Sequence, residues 1–354
     1  MSLPYQKPGL TLAHGADNDA ALVRALQRDL RALGYLGHGI DGDFGLRTER
    51  AVRCLQFDLL NNNGASSAED GPAPVAIRDF NRQQGNTRPV PAVTGQLDQG
   101  TALCIEALLS SDAVLKLPRS NDPVADNARA MDAVENTASD VAPTPFIAAM
   151  VIQESSSHHF EVPHGSDEDS YVSIGLDRND QTTQDHITSR GYGLGQCTIY
   201  HHPPRPDELS AFIIDPVQNV HFAYDELRGK FDKFVVGPTD RADDRSAEHP
   251  SLPLRLCVYQ RTDPRYMLDC RNCAARTHKM DITRGTPVHE GAALSYQPTQ
   301  YYPSAEYRGV PNRAEIPCDW PYAARRYNGS GVNSYHYQTR ILLNLLSLPP
   351  RTGS

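Results

Sequence analysis

A glutamate follows an apolar helical pattern in the second half of the chain, where its carboxyl could act as a general acid. Phe146 to Gln153 is apolar on nearly every face, which predicts a buried helix that Pro143 and Pro145 can open. Glu154 comes next and would lie between this packing and solvent. Partial burial disfavours the charged form and raises the pKa, so Glu154 could hold a proton near neutral pH and donate it to a leaving oxygen.

Three further motifs follow this glutamate. Tyr192 precedes a turn, Gly193–Gln196, whose glycines would let backbone amides approach a ligand closely. The segment Asp215–Asn219 predicts a helix start, because its Asp can cap free amides and its Pro suits the first helical position. Tyr327–Gly329 offers an aromatic ring and an amide group that both donates and accepts. Each motif is common alone, and their order along the chain favours one shared site.

Together these motifs resemble the catalytic domain of soluble lytic transglycosylases and goose-type lysozymes, over about residues 143 to 348. Gly195 departs from the family, which usually has Met there, and residues 237 to 320 form a long insert. The resemblance implies a lysozyme-like cleft for an aminosugar chain, with Glu154 as its acid. It also implies five substrate-binding residues: Tyr192, Gly193, Gln196, Tyr327 and Asn328.

A second carboxylate bears on the outcome of the reaction, since hydrolysis with inversion uses one to activate water. The alternation from Tyr171 to Leu176 predicts one strand of a hairpin, with Asp177 at its end and Asp180 in the turn that follows. Several acids between Glu154 and Gly193 could be this base, and these two aspartates are preferred because a hairpin end after the acid-bearing helix would face the cleft. The other candidates are Asp167, Glu168, Asp169 and Asp185. Goose-type enzymes carry an Asp where this chain has Ser189, so that family's second acid does not transfer. We expect hydrolysis, with transglycosylation to 1,6-anhydro ends as the alternative.

The N-terminal part carries a different pattern. Apolar residues recur at helical spacing from Asp19 to Leu33, and Gly34 then ends the predicted helix. A glycine-containing turn follows at residues 40 to 45, and Thr48 could cap a second helix. A second turn at residues 93 to 98 leads into a third helix.

This pattern resembles the peptidoglycan-binding domain of cell-wall hydrolases over about residues 19 to 110, interrupted by a polar insert at residues 61 to 91. The family spacing is carried by Asp41, Gly42, Phe44, Gly45, Thr48, Ala51 and Val52. The first five of these are the predicted wall-binding residues. The resemblance implies peptidoglycan as the partner.

The expected fold class is mainly α (α+β): a small three-helix bundle, then a lysozyme-like domain with a small β-hairpin region. We expect a peptidoglycan-binding domain at residues 1–110, a linker at 111–142 with one helix near Ala128 to Val134, and a catalytic domain at 143–354. The catalytic domain would contain the insert at about 237–320.

The predicted function is that of a muramidase, a glycoside hydrolase of cell-wall degradation. It would cleave the β-1,4 bond between N-acetylmuramic acid and N-acetylglucosamine while the N-terminal domain tethers it to the wall. A non-catalytic wall-binding protein is a second alternative. A metal-dependent amidase or peptidase is disfavoured: His158, His159 and His164 cluster near the acid, but no HExxH pattern occurs. We expect no cofactor and no metal.

Charge and composition narrow the partners. A net charge of -9 and a pI near 5.8 argue against nucleic acid, whose phosphates such a surface repels. No signal peptide or membrane span is recognisable, so we expect synthesis in the cytoplasm and action in the periplasm or on the wall. A phage lysis system or a secretion apparatus would deliver the protein. Besides peptidoglycan, the candidate partners are therefore the delivery apparatus and an immunity protein.

The cysteines fall into two groups. Cys54 and Cys104 lie in apolar helical patterns and are predicted core residues. The later group, Cys257, Cys270, Cys273 and Cys318, matches no complete zinc ligand set. We expect structural thiols or one disulfide there.

Overall fold

The computed structural model describes residues 2–66, 70–82, 88–136, 141–236, 256–257, 259–268, 270, 318–329 and 332–349. Within these residues the chain has nine helices and one three-stranded antiparallel sheet, which confirms the mainly α (α+β) fold class. None of the described helices is long and apolar enough to cross a bilayer. Most of the predicted insert at 237–320 lies outside the described residues.

Contacts along the chain group into two compact units. The first contains residues 1–130 and 158–219, and the second contains residues 131–157 and 220–354. The predicted domain boundaries near residues 110 and 143 stay predictions.

Three helices form the bundle at the start of the first unit: α1 (Ala20–Ala32), α2 (Leu46–Asn61) and α3 (Gln99–Ser110). They share one apolar core, in which Leu26, Val52 and Ile105 are fully buried. Burial of each such side chain contributes about 1.5–3 kcal/mol. Asp19 and Asp98 cap α1 and α3, since each carboxylate accepts hydrogen bonds from amides of the first turn.

The prediction that Thr48 caps α2 is wrong. Gly45 occupies the capping position, and Thr48 lies buried in the first turn of the helix. The Thr48 hydroxyl donates to the Asp43 carbonyl at 3.1 Å and accepts from Gln27 Nε2 at 3.1 Å. The local pattern assigns the Thr48 hydroxyl to a cap, but this hydroxyl is instead hydrogen-bonded to Gln27 of α1, 21 residues earlier.

Two turns of the bundle are built on one plan, each held by a glutamine side chain. Gln27 Oε1 accepts from Gly42 N at 2.9 Å, and Gln27 Nε2 donates to Asp41 Oδ1 at 2.8 Å. Gln56 Oε1 accepts from Gly95 N at 2.9 Å, and its amide nitrogen donates to Thr94 Oγ1 at 3.2 Å. Both glycines have positive φ, +82° and +77°. The same arrangement therefore closes both turns of the bundle.

The repetition extends to the helices that carry these glutamines. Residues 26–30 and 55–59 both read Leu-Gln-x-Asp-Leu. The Asp of each pattern accepts a tyrosine hydroxyl: Tyr5 donates to Asp29, and Tyr35 donates to Asp58 at 2.9 Å. The bundle thus contains an internal repeat of helix, turn and buried phenol.

The sheet of the first unit consists of β1 (Ile174–Asp177), β2 (Ser189–Tyr192) and β3 (Cys197–Ile199), hydrogen-bonded in that order. Asp177 lies opposite Ser189, so the strand predicted to end at Asp177 is confirmed as part of an antiparallel hairpin. Buried side chains beneath the sheet include Phe160, Val172 and Phe212.

A buried ion pair joins α1 to the segment that precedes the sheet. Arg31 Nε donates to Asp169 Oδ2 at 2.8 Å, and both side chains are almost fully buried. The other Arg31 nitrogens donate to the carbonyls of Leu36 and Val172. Because every donor group finds an acceptor, the pair satisfies its hydrogen bonds within the first unit.

The remaining helices are α4 (Pro123–Asn136), α5 (Thr144–Ser155), α6 (Pro206–Glu208), α7 (Pro216–Phe231), α8 (Trp320–Tyr327) and α9 (Val332–Ser347). In the second unit α5 packs against α8 and α9. Asn344 Nδ2 of α9 donates to the Ala149 carbonyl at 3.0 Å. The rings of Phe231 and Trp320 pack with centroids 4.2 Å apart.

Candidate functional site

Glu154 lies in the last turn of α5 and is partly exposed. The preceding residues, Thr144 to Val151, are all buried, so the carboxyl group lies where the helix leaves the core. Ser156 ends the helix in a left-handed conformation, and its amide donates to the Ile152 carbonyl. The C-terminus of a helix carries the negative end of the helix dipole, which disfavours a negative charge on Glu154.

Two tyrosines of the second unit accompany Glu154. Burial raises the pKa of Tyr337, on α9, well above its usual range, and the charge of Glu154 and then Tyr327 raise it further. Tyr337 is therefore a neutral phenol at pH 7, close enough to respond to the Glu154 carboxylate. Sequence reasoning missed Tyr337 because no motif marks it. Its helix, α9, buries the polar residues Ser334 and Gln338 as well as Ile341 and Leu342, so no simple pattern singles out Tyr337.

The predicted Tyr-Asn loop forms the end of α8. Tyr327 is the last helical residue and is partly exposed, whereas Asn328 is exposed and terminates the helix. Gly329 follows with φ +103°, which lets the chain turn away. Besides burial, two of the predicted residues in this unit, Glu154 and Tyr327, raise the pKa of Tyr337. Asn328 follows Tyr327 at the end of α8.

The glycine turn of the first unit connects β2 to β3, and its amides are already hydrogen-bonded. Gly193 N donates to the Ser173 carbonyl at 2.8 Å, and Gln196 N donates to the Gly193 carbonyl at 3.1 Å. Leu194 N donates to His159 Nδ1 at 3.4 Å, and Gly195 N to Asn219 Oδ1 at 2.8 Å. These four amides are thus occupied within the fold instead of facing a sugar.

Asn219 clamps this turn from α7. Besides accepting from Gly195, its Nδ2 donates to the Tyr192 carbonyl at 2.9 Å. Asp215 accepts from Val217 N at 2.9 Å and so caps α7, as the sequence predicts. The helix start predicted at this motif is confirmed.

Burial separates the three predicted substrate-binding residues of the first unit. Tyr192 and Gly193 are buried, while Gln196 is partly exposed. Gln196 Nε2 donates to the Gly193 carbonyl at 2.8 Å. Tyr192 and Gly193 therefore position the turn, and Gln196 is the residue of the three whose side chain reaches the surface.

His159 lies beneath this turn as a buried, neutral imidazole. Its Nε2 lies 3.0 Å from the Ile213 carbonyl, which can only accept, and its Nδ1 receives the Leu194 amide. These partners require the tautomer with hydrogen on Nε2. Burial lowers the pKa of His159 to about 4. The ring is thus a structural link, and no group of three or more ligands suited to a metal occurs among the described residues.

The two candidate bases lie at one end of the β1–β2 hairpin, and both are hydrogen-bonded there. Asp177 is exposed and accepts from Ser189 Oγ at 2.9 Å. Asp180 accepts from Thr182 N at 2.7 Å and from His186 Nδ1 at 3.0 Å. Hydrogen bonds from Thr182, then His186, lower the pKa of Asp180 to about 2. A carboxylate with so low a pKa is a weak base.

The connection between β1 and β2 is pinned to helix α2. Arg53 donates to both carboxylate oxygens of Asp185 at 2.8 and 2.7 Å. The His186 ring stacks on Phe57 with centroids 5.3 Å apart. The hairpin end that carries Asp180 is thus attached to the N-terminal bundle.

The predicted wall-binding residues build the first glutamine-held turn. Phe44 and Thr48 are buried, Asp41 is exposed, and Gly45 precedes α2. A Cβ added at Gly42 would lie 3.0 Å from the Ala20 carbonyl oxygen, so the turn packs tightly against α1. These residues form the turn between α1 and α2, so their spacing in the sequence is characteristic of this fold.

The cysteines agree with the expected core positions where they are described. Cys54 and Cys104 are each about 1 % exposed, which confirms them as core residues. Cys257 is a free thiol, and Cys270 and Cys318 are buried. Cys273 lies outside the described residues.

Comparison with known proteins supports the N-terminal assignment. Residues 19–58, which span α1, the glutamine-held turn and most of α2, match the family model of the peptidoglycan binding domain. No curated protein and no solved structure shows a significant match to the chain. This match supports an N-terminal peptidoglycan-binding domain and peptidoglycan as its partner.

Proposed function

We propose that the chain is a muramidase that binds the wall through its N-terminal domain and cleaves the glycan with Glu154. The family match supports wall binding. The chemistry rests on one observation: Glu154 lies at the end of a buried helix beside a phenol whose pKa responds to its charge. A carboxyl so placed is suited to donating a proton.

In the proposed reaction, protonated Glu154 gives its hydrogen to the β-1,4 glycosidic oxygen as the bond from that oxygen to the anomeric carbon breaks. The anomeric carbon acquires oxocarbenium character. A water molecule then attacks it, and the proton that this water loses passes to solvent. Tyr337, as a neutral phenol, orients the carboxyl from α9. Tyr327 and Asn328 lie on α8 and its end, where a ring and an amide can contact an N-acetylated sugar.

A lytic transglycosylase is the second candidate function, and the hydrogen bonds of the aspartates favour it. Asp177 and Asp180 are already engaged within their hairpin, and transglycosylation needs no second carboxylate because the muramic acid's own hydroxyl attacks. Mass spectrometry of the released muropeptides separates the two outcomes. Reducing ends support hydrolysis, and 1,6-anhydro ends support transglycosylation.

The decisive variant is Glu154→Gln. Loss of a general acid lowers the rate by about 10²- to 10⁴-fold, so we expect release of soluble fragments from purified walls to fall by that factor. Glu226→Gln is the control, because Glu226 is a partly exposed carboxylate of α7 that pairs with Lys230. Full activity of Glu154→Gln would instead support a different catalytic residue, and inactivity of the wild type would support the non-catalytic wall-binding alternative.

The proposed substrate lies outside the cytoplasm. Delivery by a phage lysis system or a secretion apparatus, with an immunity protein protecting the producer, therefore belongs to the same proposal.

A further inference from the structure

A cavity of about 270 Å³ in the first unit is lined by three arginines. Its lining residues are Leu60, Arg78, Asp79, Asn81, Arg82 and Arg88. They follow the segment that matches the peptidoglycan-binding family, and all except Leu60 lie in the polar insert at residues 61–91. The cavity is thus a feature that the chain adds to the family bundle.

The wall of the cavity is fixed by the core of the bundle. A short helical turn, Ile77–Asn81, carries Arg78, and its Ile77 side chain is about 1 % exposed. Asn81 is also buried, and its Nδ2 donates to the Leu59 and Val90 carbonyls at 3.2 and 2.8 Å. This amide therefore connects the end of α2 to the chain just after Arg88.

The charges of the cavity do not balance. Arg82 lies 3.3 Å from Asp79, but both side chains are more than half exposed, so the pair is weak. Within the described part of the chain, Arg78 and Arg88 have no carboxylate within 4.0 Å. Three arginines, whose side chains stay charged at all relevant pH values, thus line the cavity together with one carboxylate, in a protein of net charge -9.

We propose that this cavity binds a free carboxylate of the peptide stems of peptidoglycan, and the proposal rests on the wall binding proposed above. Guanidinium groups pair with carboxylates through two parallel hydrogen bonds, which suits the terminus of a peptide. The volume is just below that of pockets for small ligands, about 300–1,000 Å³. It accommodates a peptide terminus instead of a disaccharide.

The test measures binding of soluble probes to the full chain by calorimetry. The probes are a muropeptide with free stem carboxylates, the same muropeptide with those carboxylates amidated, and inorganic phosphate. Arg78→Gln/Arg88→Gln should weaken binding of the first probe by about tenfold or more, since charge-assisted hydrogen bonds are lost. The control is Arg50→Gln/Arg129→Gln, which removes the same charge from exposed positions of the first unit. The control should bind like the wild type.

Equal affinity of the pocket variant and the wild type would overturn the proposal. So would equal affinity for the free and the amidated muropeptide, or tight binding of phosphate with none of the muropeptide. Co-sedimentation with insoluble walls is measured separately. If the wild type fails to sediment with walls, the proposed function fails. If the wild type and the pocket variant both sediment fully while neither binds the soluble probe, only the cavity assignment fails.

Discussion

Gly193 shows how a missing side chain keeps two elements in contact. Its φ is +69°, and an added Cβ would lie 2.5 Å from the His159 ring and 2.7 Å from Asn219 Nδ2. Both neighbours are buried and hydrogen-bonded, so neither can move away cheaply. Close packing at this point therefore depends on glycine for two separate reasons, backbone conformation and space.

Gly193→Ala should lower the free energy of unfolding by about 2–5 kcal/mol, the sum of a strained φ and an overpacked core. Gly165→Ala isolates the first term, because Gly165 has φ +63° and nothing within 4 Å of an added Cβ. That control should cost about 1–2 kcal/mol. Urea unfolding of both variants measures the difference, and equal losses would contradict the packing argument.

His159 predicts a loss of stability in mild acid. Its folded pKa of about 4 lies below the unfolded value of about 6.5. Between these values the unfolded chain binds a proton that the folded chain does not. The free energy of unfolding should therefore fall as the pH drops through this window, by about 2–3 kcal/mol at pH 4.5.

Urea unfolding at several pH values between 7 and 4.5 tests this, with His159→Gln for comparison. The variant should lose less stability than the wild type over the same range. Some pH dependence will persist, because burial also lowers the pKa of His202 well below its usual value. Identical pH profiles for wild type and variant would show that His159 is not responsible.

At the scale of elements, α1 is held to the segment before β1 by charges of very different burial. Arg31 and Asp169 form the buried pair, while Arg28 and Glu168 pair at 2.8 Å with side chains that are 42 % and 51 % exposed. The two pairs join the same two stretches of chain. They offer a direct comparison of buried and exposed ion pairs within one interface.

Asp169→Asn should destabilise the protein by about 3–5 kcal/mol, because it leaves the buried Arg31 charge without a counter-charge. Glu168→Gln, which removes the neighbouring exposed carboxylate, should cost less than about 1 kcal/mol. Chemical denaturation of the two variants gives both numbers. Similar losses in both would mean that burial does not govern the strength of these contacts.

Local sequence patterns predict some of these elements and miss others for a physical reason. The Asp-Gly turn, the Asp215 cap and the strand ending at Asp177 depend on neighbours in sequence, so spacing predicts them. Arg31 and Asp169 are 138 residues apart, and no local pattern pairs them. The wrong cap at Thr48 has the same origin, since a distant glutamine takes its hydroxyl.

The same distinction between local and distant contacts applies to the candidate site. The apolar run before Glu154 is local, so the sequence predicts the buried helix that ends beside this residue. Tyr337 was not found, since its link to Glu154 depends on how α9 packs on α5. Substrate contact was assigned to Tyr192, a residue that the fold buries.

At the scale of the whole molecule, the first unit contains more of the chain than the N-terminal bundle. Residues 158–219, with the sheet and the glycine turn, belong to the same compact unit as the bundle. Ile187 of this stretch even lies in the core of the bundle. Within this unit the bundle therefore shares its core with a residue outside positions 1–110.

A fragment lacking residues 1–110 should consequently fail to fold cooperatively. Deletion removes α1 to α3 and leaves Asp169 and Ile187 without their buried partners. Near-ultraviolet circular dichroism and thermal unfolding of the fragment, beside the full chain, would check this. A fragment with a sharp transition and native-like spectrum would show that residues 158–219 do not need the bundle.

The paired glutamine turns also explain where this protein can accommodate new sequence. Gln27 bridges 14 positions to reach its turn, whereas Gln56 bridges 38. By loop-closure entropy the longer span costs only about 1 kcal/mol more. Since the side chain secures both ends, the stretch between them can lengthen or change composition while the surrounding helices keep their places. The arginine-lined insert occupies that stretch, which makes it a natural place to exchange one ligand preference for another by loop grafting.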